Sequence, residues 1–192
     1  QGILVRLWRP DFETLGRVVR LGWPIGLTSL AESGLFTATA FMMGWFGNVA
    51  LAAHGIALQL AAITFMVHLG LGNVATIRAG NAYGRHDLDH MKRGARTVTV
   101  LSLVVALATI LLFVTLPEPL MSIFMRADQE ARNEVVALGV ILLALAALFQ
   151  LMDGAQVVAL GLLRGVQDAK VPMVLAAISY WGVGMPVSYV LG

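Results

Sequence analysis

Charged side chains are scarce in this chain. Only 12% of its 192 residues are Asp, Glu, Lys or Arg, against roughly 25% in an ordinary soluble domain. Thirteen basic and eleven acidic side chains cannot cover the outside of a water-soluble globule of this size. Cysteine is absent, which excludes disulfides and thiolate metal sites. The low hydrophobicity of disordered chains is also absent: 58% of residues are apolar and the mean hydropathy is +0.82. No segment shows the period-2 alternation of a barrel strand. What remains is an all-α polytopic membrane helix bundle.

A spanning helix needs about 20 mostly apolar residues. The sequence predicts five spans, at about 21–46, 49–77, 98–116, 135–163 and 171–192, together forming one membrane domain over 21–192. Pro24, Gly70, Gly72, Gly154, Gly161 and Pro186 fall inside these runs, as membrane helices tolerate. Residues 1–20 carry Arg6, Arg9, Arg17 and Arg20 with no apolar signal-peptide core, so they read as a cytoplasmic approach segment. The start at Gln1 and the stop within an apolar run read as a piece of something longer.

The positive net charge first invites a nucleic-acid reading. The positions of the basic residues reject it. Eleven of them lie before the first span, between the second and third, or between the fourth and fifth; only Arg126 and Arg132 lie on the other side. By the positive-inside rule 1–20, 78–97 and 164–170 are cytoplasmic, which places the amino end of the fragment inside the cell. A nucleic-acid surface would gather its basic residues with stacking aromatics; here they are scattered over three loops, where anionic lipid is an adequate partner.

Nine of the eleven acids lie in loops; Glu32 and Asp153 do not. A carboxylate within the bilayer is costly and marks a functional interior site by default. Glu32 lies twelve residues beyond Arg20, about 18 Å at the helical rise, and Asp153 lies eleven residues before Arg164, about 16 Å. Both acids therefore sit at similar depth. Thr28, Ser29 and Phe36 neighbour Glu32 at helical spacing, and Phe149, Gln150 and Gln156 neighbour Asp153. Such a pair suits a midplane site for a coupling proton or Na+. The bland alternative is a pair of carboxylates that only fix helix packing.

The histidines carry less. His54 and His68 share a helix face but stand about 21 Å apart, so they cannot share a metal. His54 and Gln59 are candidate cavity-lining residues; His86 and His90 fall in the expected solvated loop. No metal site beyond Na+ at Glu32 and Asp153 is implied. Gly70-Leu71-Gly72 opens no phosphate loop, and no HExxH or GxSxG occurs, so nothing points to an enzyme or a cofactor.

The ordered set Leu21-Gly22-Trp23-Pro24-Ile25-Gly26, Glu32-Ser33-Gly34-Leu35-Phe36, Leu51-Ala52-Ala53-His54 with Gln59, Phe65-Met66 to Gly70-Leu71-Gly72, Arg78-Ala79-Gly80, and Phe149-Gln150-Leu151-Met152-Asp153 to Leu163-Arg164-Gly165-Val166-Gln167-Asp168 and Pro172 resembles the MATE family (multidrug and toxic compound extrusion), in its bacterial NorM-like branch. The pattern covers nearly the whole chain. It matches helices seven to eleven of twelve, five of the six helices of a carboxy-terminal lobe. The resemblance implies a bacterial inner-membrane antiporter that exports drugs or organic cations against Na+ or H+ by alternating access, with the amino-terminal lobe as its missing partner. It carries cation binding over to Glu32 and Asp153. Gly55 stands where many members have Gln, Phe149 where some have Tyr, and His68 where a Pro is common. Two other readings are a lipid-linked precursor flippase of related fold, which predicts an arginine-lined cavity, and a non-transporting membrane scaffold.

Overall fold

A computed structural model describes residues 12–126 and 131–191, and every element in it is helical. The elements are α1 (Phe12–Trp45), α2 (Asn48–Gly84), α3 (Leu88–Thr115), the short α4 (Pro117–Ser122), α5 (Arg132–Gly165), α6 (Lys170–Ala177), a π-helical stretch Ile178–Gly184 and α7 (Met185–Leu191). Four stretches are long and apolar enough to cross a membrane: Asn48–Gly84, Leu88–Thr115, Arg132–Gly165 and Lys170–Val190. The expected first span lies within α1. That helix is long enough to span at 34 residues, but Thr28, Ser29, Glu32, Ser33 and its glycines make it less apolar than the other four. Of the expected approach segment, residues 12–20 are already helical and continuous with α1. Residues 1–11 lie outside the described residues, as do Asp128 and Glu130.

The expected cytoplasmic loop 78–97 is almost entirely helix, because α2 runs on to Gly84 and α3 begins at Leu88. Hydropathy marks only the apolar part of a helix, whereas Arg78, Lys92, Arg93 and Arg96 belong to residue types that sustain helix outside it. His90 therefore sits in the first turn of α3 rather than in a loop. The joint itself is tight. His86 takes a positive φ of 55°, Asp87 N–H donates to Ala82 O at 3.0 Å, and Asp87 Oδ1 accepts from His90 N–H at 2.9 Å. The α5–α6 joint repeats this construction. Gln167 has φ 65°, Asp168 N–H donates to Leu163 O at 2.9 Å, and Asp168 Oδ1 accepts from Val171 N–H at 3.3 Å. Each joint thus ends one helix with a left-handed residue and starts the next with a capping Asp.

α2 and α5 run parallel and pack more extensively than any other pair. Their contact is built from small residues. A Cβ on Gly161 would collide with the carbonyl oxygen of Gly72, one on Gly72 would stand 2.7 Å from Val157, and one on Gly165 would stand 2.7 Å from both Ala79 Cβ and Thr76 O. Small residues let backbones approach where no hydrophobic drive separates helix from lipid. The approach lets Thr76 Oγ1 donate to Gly161 O at 2.9 Å, across the interface. α3 runs back antiparallel against both helices, and α4 seats Met121 on Gly139 of α5. Phe113, Leu143, Ala147 and Leu60 complete the apolar core around Met121.

α1 packs on α6, on α2 and on the π-helical stretch, with Trp181 lying over Gly34. The π-helical stretch has a local cause. Pro186 has no N–H to give to the carbonyl four residues back, and Met185 N–H reaches instead to Tyr180 O, five residues back.

Candidate functional site

Helical register places Glu32 and Asp153 at one level. On α1, Leu27, Leu30 and Ala31 face Met173, Val174 and Ile178 across an apolar groove of about 460 Å³. One turn further on, Gly34 meets Trp181 and Leu35 meets Gly184. Glu32 thus lies at the level of residues 178–181. On α5, Gln156 Nε2 donates to the hydroxyl of Tyr180, and Asp153 lies one turn before Gln156. Both acids are half-buried. Asp153 lies within Coulombic range of Glu32, Tyr180 within range of both acids, and Glu32 within range of Arg164 as well. Two carboxylates, a phenol and an amide from three elements thus lie near one level, with Tyr180 and Gln156 in hydrogen-bond contact. Such a set accepts a proton or a hard cation. No group of three or more acids and histidines gathers anywhere among the described residues.

The other residues chosen from the sequence divide. Gln156 joins the acid pair through Tyr180. Gln150 does not: it is 1% exposed and its Nε2 donates to Thr64 Oγ1 on α2 at 2.8 Å. Six residues separate Gln150 from Gln156, which puts them about 120° apart around α5. The polar stripe is therefore two faces, one toward the acids and one toward the helix core. Thr28 is buried, and its hydroxyl donates to Pro24 O in its own helix at 2.9 Å. Ser29, Phe36, Gln59 and Phe149 are exposed, and His54 is half-buried with Nε2 unpartnered.

Sequence reasoning missed Tyr180. Its phenol, one of two in the last apolar run with Tyr189, was a usable signal, and the nearby Gly182, Gly184 and Pro186 marked an irregular helix. It also missed the depth at which His68 is buried. His68 is fully buried, with Nδ1 2.9 Å from Ser102 Oγ.

Comparison with known proteins agrees with this architecture. The MatE family model matches residues 24–190. A "Probable multidrug resistance protein NorM" from Agrobacterium fabrum is 44% identical over 189 residues, covering 98% of this chain and 41% of that protein. One of the same name from Pseudomonas aeruginosa is 39% identical over 98% of this chain and 39% of its own length. A "Multidrug resistance protein NorM" from Burkholderia vietnamiensis is 36% identical over 94% of this chain and 39% of its own length. The chain spans about two fifths of the length of these relatives. With that coverage and the helical bundle described above, the chain belongs to the MatE family.

Proposed function

We propose that this chain is the second lobe of a two-lobe multidrug efflux antiporter, exchanging drugs or organic cations for Na+ or H+ by alternating access. Glu32 and Asp153 bind the coupling cation or proton, with Tyr180 and Gln156 completing the polar surround. The observation that carries this reading is the placement of two intramembrane acids from different helices at one level, with Tyr180 in electrostatic range of both. Two like charges in electrostatic range of each other favour uptake of a proton or a cation over standing ionised and alone. A purely structural carboxylate needs its own hydrogen-bond donors, and neither acid has a hydrogen bond of that kind among the described residues.

The relatives' names support drug efflux, and their greater length supports a partner lobe in the same protein. Arg78, Arg85, Lys92, Arg93, Arg96, Arg164 and Lys170 gather at one end of the bundle, which supports a cytoplasmic placement for that end in the bacterial inner membrane. The long lipid-facing apolar surface makes bilayer lipid the third partner. In the full-length protein, reconstituted in vesicles, Asp153→Asn should abolish ion-driven export of an organic cation dye. Undiminished export at equal protein would remove the assigned role.

A further inference from the structure

A second polar site lies on another face of α5, about 120° around the helix from Gln156, at the junction of α2, α3 and α5. Four side chains meet there: Thr64 and His68 one turn apart on α2, Ser102 on α3, and Gln150 on α5. His68 and Gln150 are 0% and 1% exposed, and Ser102 is 4% exposed. The room comes from Gly154, one turn beyond Gln150. A Cβ there would stand 2.8 Å from His68 Cε1 and 2.9 Å from Ser102 Oγ.

Hydrogen-bond accounting fixes the roles. The Thr64 hydroxyl donates to Ala61 O at 2.9 Å, so it accepts from Gln150 Nε2. That orients the amide and leaves Gln150 Oε1 buried and without a donor. The Ser102 hydroxyl has no other partner among the described residues, so it donates to His68 Nδ1. The neutral ring then carries its hydrogen on Nε2, which is also buried and without a partner. One orphan is a donor, the other an acceptor. Helices α2 and α5 are parallel and in register, with Thr64 beside Gln150 and His68 beside Gly154, so the two orphans belong to one junction, about one turn apart along the helix axes. Unpaired polar groups in such a place cost free energy, and a polar pocket with two or more partners is where proteins hold internal water. An Nε2–H donor cannot ligate a cation, which selects water over Na+.

We propose that one water molecule bridges His68 Nε2–H and Gln150 Oε1. Ser102, His68, the water, Gln150 and Thr64 then form one hydrogen-bonded chain tying α3, α2 and α5 together. The site is separate from the acid pair and does not depend on its role. It fixes the rotation of α5, and Asp153 is the residue next to Gly154 on that helix.

Solid-state NMR of the full-length protein in lipid bilayers, labelled with ¹⁵N-histidine, tests this. His68 is assigned by the signal missing from His68→Asn. The expected spectrum shows the Nε2–H tautomer and magnetisation transfer from water protons to that nitrogen, with the transfer lost in Gln150→Leu. The Nδ1–H tautomer, or an Nε2–H with no transfer from water, would overturn the proposal. Both outcomes are read on the wild-type protein, so they stand even if Gln150→Leu does not fold.

Discussion

Along α5, Gly154, Gly161 and Gly165 each press on a neighbouring helix, whereas Gly16, Gly22 and Gly26 of α1 meet nothing within 4 Å. The two regions share a composition and differ in use. The α2–α3–α5 group is held by backbone approach, an interhelical Thr76 bond and the Thr64–Gln150 and His68–Ser102 pairs. The α1–α6–α7 group is held by fewer contacts and keeps Trp23, Phe41 and Trp45 exposed. The acid pair spans the two groups, with Asp153 on the close-packed side and Glu32 on the open side. Under the proposed antiport, that division suits a cation site that must assemble and come apart.

Three substitutions test the comparison, from the largest effect down. Gly161→Ala drives a Cβ into the Gly72 carbonyl oxygen, which is backbone and cannot rotate away. A loss of about 3 kcal/mol is expected, read as a lower Tm and reduced recovery of monodisperse full-length protein. Ser102→Ala removes the partner of the His68 Nδ1 atom. It should cost about 1 kcal/mol in the same thermal assay while ion-driven export persists. Gly26→Ala on α1 adds a methyl where nothing lies within 4 Å. It should change stability by about 0.5–1 kcal/mol in the favourable direction, since Gly is the poorer helix former. A fall in Tm as large as that of Gly161→Ala would erase the distinction between the two regions.

Much of the fold was readable from runs of apolar residues, because a helix that faces lipid must be apolar around most of its surface. The long helices α2, α3 and α5 each contain one predicted run. The capping role of Asp168 was readable as well, since the residue follows a helix end and precedes Pro172. The polar ends of α2 and α3 were not readable by hydropathy, which registers only the part of a helix that avoids water. The short α4 was hidden by Pro117 and Pro119, which read as a loop, yet Pro117 opens that helix. At the proposed site, the common level of Glu32 and Asp153 and the position of Gln156 one turn beyond Asp153 followed from helical spacing; their role stands as proposed. Gln150 was assigned to the wrong face because a stripe six residues long wraps a third of the way around a helix. Tyr180 showed only as a phenol in an apolar run; its pairing with Gln156 depends on the π-helical stretch just before Pro186, a backbone effect with no periodic signature. His68 read as a minor departure from the family pattern; its burial depends on Gly154 in another helix.

The most direct measurement is counter-cation movement by the full-length protein in sealed vesicles. The uptake of ²²Na+ and of protons is followed while an organic cation leaves, in wild type and in Asp153→Asn of equal Tm. The account predicts that the wild type exchanges one of these cations for substrate, and that the variant exchanges neither while remaining folded. Exchange of the same cation at the wild-type rate by folded Asp153→Asn would contradict it.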